Sequence, residues 1–343
     1  EIALESVTLD VSAVPVTVLK EFISVALPLE GRLYGNVDLS GTMDSVTVAG
    51  RMDLLEPGAS ATSGEIEGVL HLRRPWGVTG LTARLTPLDL GLVIRGAEAP
   101  SLDGTVYLDL RADGWLDTGV RVVAVGTYPH PDAGASYVSL EGTVIEVDGE
   151  IQVSLNGELR PLSIGDIFAE ESTLSRLGVV RGTVHAEGPL SDFVVRIDLS
   201  TEGGRLTVES RFDLRSPRAS YRIQGEAVDY DPVELLRRIP EGTRLSGSFD
   251  LFGEGGDLST VELVGGMSLS GSRFADLTVD TVSVDVRISN GMVTLENVRG
   301  RIGDVTIEGA GQLATAGVGS TEEFRLSFET QNLEGLRPLV LGA

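Results

Sequence analysis

The sequence predicts an all-β fold: an elongated, twisted antiparallel β-taco or groove, built from repeats of about 70 residues with short crossing helices. Three observations predict it. Apolar and polar residues alternate with period two over most of the chain, turn residues separate the alternating runs, and two independent markers return at one long interval.

The alternation identifies strands with one wet and one dry face, as antiparallel sheets require. Val282, Val284, Val286 and Ile288 fall on one side of a run, and Ser283, Asp285 and Arg287 on the other. Leu206, Val208 and Phe212 alternate with Thr207, Glu209 and Arg211; Phe324, Leu326 and Phe328 alternate with Arg325, Ser327 and Glu329. Asp148-Gly149, Gly203-Gly204 and Asn290-Gly291 sit between runs as hairpin turns. About 19 strands of ordinary length follow.

The first repeat marker is a proline that punctuates the strands, at Pro15, Pro87, Pro161 and Pro232. The second is a strand centred on glycine that opens each block, at Gly35, Gly104, Gly182 and Gly247. Both return every 70 residues or so, which divides the chain into 1–32 (the end of one repeat plus a crossing helix), 33–101, 102–179, 180–243 and 244–343. The last block is longer, with six strands and the start of another crossing. Leu19, Phe22, Ile23 and Ala26 after Pro15 have helical spacing; so do Ile164, Ile167 and Phe168, continuing to Leu174 and Leu177. Asp231-Pro232-Val233-Glu234 reads as a capping box ahead of Leu235, Leu236 and Ile239.

Composition narrows function. The chain of 343 residues exceeds the usual size of one compact core, which an elongated array need not enlarge. Its net charge of −24, with Lys20 the only lysine, repels phosphate backbones and excludes nucleic acid as an expected partner. Cysteine is absent, so thiolate metal sites, disulfides and Cys nucleophiles are excluded. No run reaches the ~18–20 apolar residues needed to span a bilayer. The opening Glu1-Ile2-Ala3-Leu4 reads as the middle of a longer chain.

Catalytic chemistry finds no foothold. His71, His130 and His185 are far apart in sequence and read as polar strand or turn positions. Asp250, Glu254 and Asp257 flank a Gly-rich turn without the ligand pattern of a calcium loop. Gly253-Glu254-Gly255-Gly256 lacks the Gly-Lys-Ser/Thr ending of a phosphate loop, and no Gly-x-Ser-x-Gly occurs. The expectation is a protein that is not an enzyme and carries no cofactor or metal.

What remains is the dry face. Its candidate residues are Val37, Leu39, Val46, Val48, Leu70 and Leu72; then Val106, Leu108, Leu110, Val153 and Leu155; then Val184, Ile197, Leu199, Leu206, Val208 and Phe212. Phe249, Leu251, Leu263, Met267 and Leu269 continue it, followed by Val282, Val284, Val286, Ile288, Val305, Ile307, Phe324, Leu326 and Phe328. Such a face must be covered by another sheet, a helix layer or an apolar ligand. One short helix covers only about a quarter of the apolar face of five strands, by helix and strand dimensions. Aliphatic walls without polar handles suit acyl chains.

Strands of the form Leu-x-Gly-x-Val-x-Leu-x-Gly-Thr, as in Leu33 to Thr42, resemble those of the TamB/AsmA-like proteins of the Gram-negative envelope. So do Gly188-Pro189-Leu190-Ser191-Asp192 and Arg301-Ile302-Gly303-Asp304-Val305-Thr306-Ile307-Glu308-Gly309. The resemblance implies a β-groove in the periplasm that conducts phospholipid or another acyl-chain lipid between inner and outer membranes. It also implies a longer parent with an inner-membrane anchor, and an outer-membrane barrel protein as a possible partner. The rival expectations are an adhesin-like array of closed β-sandwiches and a scaffold for outer-membrane protein assembly. A parallel β-helix acting on polysaccharide would repeat every ~20–30 residues, and no such period occurs.

Overall fold

The computed structural model describes residues 3–15, 31–42, 44–55, 62–89, 104–129, 136–167, 178–189, 191–201, 203–213, 220–233, 235, 239–255, 261–275, 277–289, 291–314 and 323–330. The expected crossing helix at Leu19–Ala26 and the residues Phe168, Leu174, Leu177, Glu234 and Leu236 lie outside them, as do His130 and Asp257. Contacts divide the chain into two units.

Unit 1 comprises Glu1–Ala169 with His185–Pro189. It contains β1 (Ala3–Pro15), β2 (Arg32–Thr42), β3 (Ser45–Leu55), β4 (Thr62–His71), β5 (Gly77–Asp89), β6 (Thr105–Trp115), β7 (Gly119–Tyr128), β8 (Ser136–Val147) and β9 (Glu150–Ser163). Each pairs antiparallel with the next, giving a meander. Unit 2 comprises Glu170–Val184 with Leu190–Ala343. Its strands are β11 (Phe193–Thr201), β12 (Gly204–Asp213), β13 (Ser220–Tyr230), β14 (Leu245–Glu254), β15 (Glu262–Phe274), β16 (Leu277–Ser289), β17 (Met292–Ile302), β18 (Val305–Ala314) and β19 (Glu323–Thr330), again paired in chain order. Strand β10 (Val179–Pro189) gives its first half to unit 2 and its second half to unit 1. Blocks 33–101 and 102–179 hold β2–β5 and β6–β9, and the last block holds β14–β19.

The period-two pattern has lapses, and the backbone absorbs them. Where two apolar residues stand three apart, the strand register shifts between them: Leu4/Val7 and Val11/Val14 in β1, Val78/Leu81 and Leu85/Leu88 in β5, Ala227/Tyr230 in β13 and Leu295/Val298 in β17. A β-bulge inserts the extra residue and returns the next apolar side chain to the same face. Positive φ at Ala13, Asp229 and Asn297 marks three of these bulges. The bulge also explains Pro87, which the sequence assigns to a break between strands but which lies inside β5. It falls in the unpaired stretch between Leu85 and Leu88, where its missing N–H breaks no ladder bond. Pro161 likewise lies inside β9, beyond the last β8 pair, Val138 with Leu159.

Three of the glycines that open blocks share one environment. Gly35, Gly182 and Gly247 have φ of 140°, 158° and 158°. A Cβ at any of them would collide with a carbonyl oxygen of the facing strand, that of Arg51, Asp198 or Ser268. Gly104 differs, since its α-carbon faces the Tyr128 ring.

Two expected helices are described only at their starts. Gly165–Ile167 is a single 3-10 turn. After Tyr230 the Asp231 carboxylate accepts from Val233 N at 3.0 Å, and Leu235 N donates to Pro232 O at 3.0 Å, so the described start is a turn. Proline at the first position and the aspartate cap favour such a turn, and residues 236–238 lie outside the described residues. Among the described residues no helix is long and apolar enough to cross a membrane.

Candidate functional site

The candidate site is an apolar sheet face, and the strand registers assemble it. In unit 1 one row runs across nine strands through Leu9, Val37, Gly50, Ile66, Ala83, Leu110, Ala124, Leu140 and Gly157. In unit 2 a second row runs through Leu199, Leu206, Ala227, Gly247, Leu269, Val282, Gly300, Ile307 and Phe328. Each holds no polar side chain and spans about 38 Å at the usual strand spacing. One residue along, the unit 2 row reads Asp198, Thr207, Glu226, Ser248, Ser268, Ser283, Arg299, Glu308 and Ser327. The two faces are chemically opposite.

The sequence candidates fall on the apolar face with few exceptions. Leu39, Val46, Val48 and Leu70 share a side of β2–β4; Val106, Leu108 and Leu110 face Leu88, Leu85 and Ala83. Val153 and Leu155 face Val144 and Gly142. Val184 follows Gly182 at the same parity in β10. In unit 2, Ile197, Val208 and Phe212 join Phe249, Leu251, Leu263 and Met267, with Val284, Val286, Ile288 and Val305 beyond. Leu326 faces Gly309; Phe324 faces Gly311 in the ladder, and its side chain lies outside the described residues. Leu72 differs: β4 ends at His71, and Leu72 stands beyond it, 50% exposed, in the turn made by Arg73-Arg74-Pro75.

Registers also add residues that periodicity missed. Val120, Val122, Ala124 and Val125 belong to a nearly continuous apolar run, in which alternation assigns no face. Pairing of Val120 with Gly114 and of Val122 with Ala112 puts these two on the apolar side. Met52, Ile223 and Leu295 join the face in the same way.

Burial shows how much of this face protein covers. Val37, Leu110, Leu155, Val208, Leu251 and Val284 are mid-strand apolar residues and only half-buried. Buried residues lie mostly toward strand ends, as at Leu33, Leu54, Val180, Tyr230, Val279 and Val305, with Val48 and Leu199 buried farther in. In unit 2 the covering element at one such end is the turn after β13. Gly178 N donates to Leu235 O at 2.7 Å, and Asp231 N donates to Thr201 Oγ1 at 3.2 Å. Arg244 and Asp231 close its base with an ion pair.

Part of the coverage is supplied by the sheet itself. Large side chains lie over glycines of the neighbouring strand: Phe249 over Gly225, Tyr221 over Gly253, Leu85 over Gly64 and Leu326 over Gly309. Burial under this arrangement raises the Tyr221 phenol pKa above its ordinary value.

The polar face carries ion pairs and a wide concavity. Arg222 donates twice to Asp250, at 2.9 and 2.6 Å, and its guanidinium lies 4.6 Å from the Phe252 ring centroid. That pairing, with a bond from Gln224, lowers the Asp250 pKa. A depression of about 1340 Å³ opens here, lined by Arg205, Glu226, Ser248, Asp250, Asp285 and Arg299 among others. A twisted sheet is concave along one diagonal on each side, so concavity is not reserved for the dry face.

The histidines are less isolated than their spacing suggests. His71 stacks on Trp115 with ring centroids 4.3 Å apart, and its Nε2 lies 2.9 Å from Thr79 Oγ1. His185 Nδ1 lies 2.8 Å from Asn156 Oδ1.

No family model, curated protein or solved structure matches the chain.

Proposed function

We propose that this chain is a segment of a periplasmic lipid conduit of the TamB/AsmA-like kind, with phospholipid acyl chains lying on the apolar face. The single observation that carries this reading is the incomplete burial of mid-strand aliphatic residues in both units. A sandwich core buries such positions almost completely, whereas Leu155 and Val208 keep intermediate exposure. An acyl chain supplies the missing cover, and an aliphatic wall without charges or hydroxyl ladders accepts it in any register. Burial of such surface contributes about 25 cal/mol per Å². The test is mass spectrometry of lipid extracted from the purified protein. Stoichiometric phospholipid supports the conduit; a lipid-free protein that takes up none from vesicles overturns it and leaves the closed array of sandwiches.

A further inference from the structure

Among the described pairings, β1 in unit 1 and β19 in unit 2 each carry a ladder on one side alone. The two edges differ. β1 is paired through two bulges, at Leu4/Val7 and Val11/Val14, has a positive φ at Ala13 and ends on Pro15. Bulges and proline keep a strand edge from accepting another strand. β19 has neither: Glu323–Thr330 pairs residue for residue with β18 from Gln312 to Val305. Its side chains from Arg325 to Glu329 are exposed on both faces, Leu326 and Phe328 at 47%. A regular, exposed edge of this kind is a template for one more strand.

We propose that this strand is β19 of a second copy, added antiparallel about a two-fold axis through Ser327. The sequence of β19 selects the occupant. A strand that extends the apolar face must match it in parity, so Leu326 and Phe328 stand opposite even-numbered residues of the second β19. With Ser327 opposite itself, Leu326 faces Phe328 and Arg325 faces Glu329, and each pair occurs twice. The apolar pairs extend the apolar face, and the opposite charges meet on the polar face. The neighbouring registers of the same parity, centred on Leu326 or Phe328, lose both charge pairs, and the first sets Glu323 against Glu329. β1 offers less: its unbulged stretch from Val7 to Val11 matches Asp10 to Arg325 once. Two-fold pairing also closes after two copies, whereas β19 on β1 would continue into a chain of copies. The net charge of −24 on each copy opposes broad contact, so the association is local to these pairs.

The chain has no cysteine, so Ser327→Cys gives each copy a single thiol. In the proposed register the two thiols face each other on adjacent strands, with α-carbons about 4.5–5.5 Å apart, within disulfide reach. Air oxidation of the purified chain should link Ser327→Cys into a dimer and leave Thr8→Cys, on the β1 edge, unlinked. Sedimentation in about 0.15 M salt, where charges more than roughly 8 Å apart are screened, should show a dimer that grows with concentration. Arg325→Glu alone, or Glu329→Arg alone, sets like charges opposite each other twice and should abolish it. An equimolar mixture of these two variants should restore it, as should both changes in one chain. Circular dichroism confirms that each variant is folded. A monomer at every concentration without a link at residue 327 overturns the proposal. So do dimers indifferent to the single charge reversals, a mixture that stays monomeric, or species that grow beyond the dimer. The charge-swap pattern does not depend on lipid at the sheet face, so it fails or holds separately from the conduit.

Discussion

The tip of the Phe249 ring lies over Gly225 of the neighbouring strand, filling the space that any larger side chain at that position would claim. The pair is a unit of the apolar face: glycine makes the recess and the aromatic ring fills it. Gly225→Ala should therefore push the ring off the sheet and destabilise unit 2 by about 1–3 kcal/mol, as overpacking does. Chemical denaturation measures it. A second change, Phe249→Leu, should recover part of the loss, because the shorter side chain leaves room for the methyl group.

Charges on the apolar face should separate covered from uncovered positions. Val305 is fully buried, and Val305→Asp should cost several kcal/mol and unfold its surroundings. Leu155 and Val208 are half-buried, so Leu155→Asp and Val208→Asp should leave the melting temperature nearly unchanged, since water reaches the carboxylate. Under the proposed function the same two variants lose bound phospholipid, measured by extraction. Unfolding at all three positions would point to closed cores instead.

The turn after β13 depends on its base. Asp231 caps Val233 N and pairs with Arg244, both side chains being about a quarter to a third exposed. Asp231→Ala removes a cap and a partly buried partner together and should cost about 1–3 kcal/mol. Hydrogen exchange should then show faster opening at Val180 and Tyr230, the buried residues at that end, and little change at β18.

Acid should weaken the Arg222–Asp250 pair in a defined direction. The folded-state pKa of Asp250 is depressed, so its contribution is present above the ordinary carboxylate value of about 3.9 and is lost as pH falls through the folded value. Asp250→Asn should flatten the stability profile below about pH 4 relative to the parent. The pair is exposed, so molar salt should shrink the difference. Denaturation curves across the acid range check both statements.

Read alone, the sequence determined the strand count, the antiparallel class and which side chains share a face, because a period of two is a local property of the backbone. It carried the bulges too, in the three-residue spacings at Leu85/Leu88 and Leu295/Val298, though as interruptions whose meaning was not visible. Pro87 and Pro161 looked like breaks between strands, since a missing N–H argues against a ladder and only pairing shows which ladder bonds are needed. Tertiary structure decided what no local pattern encodes. Register chose which glycine lies under which ring, as with Gly225 and Phe249, and assigned Val120 and Val122 to a face when their run did not alternate. It also brought His71 and Trp76 of the β4–β5 turn beside Trp115 and Leu116 of the β6–β7 turn. Contacts between strands depend on the meander that aligns them, and neither composition nor periodicity carries that alignment.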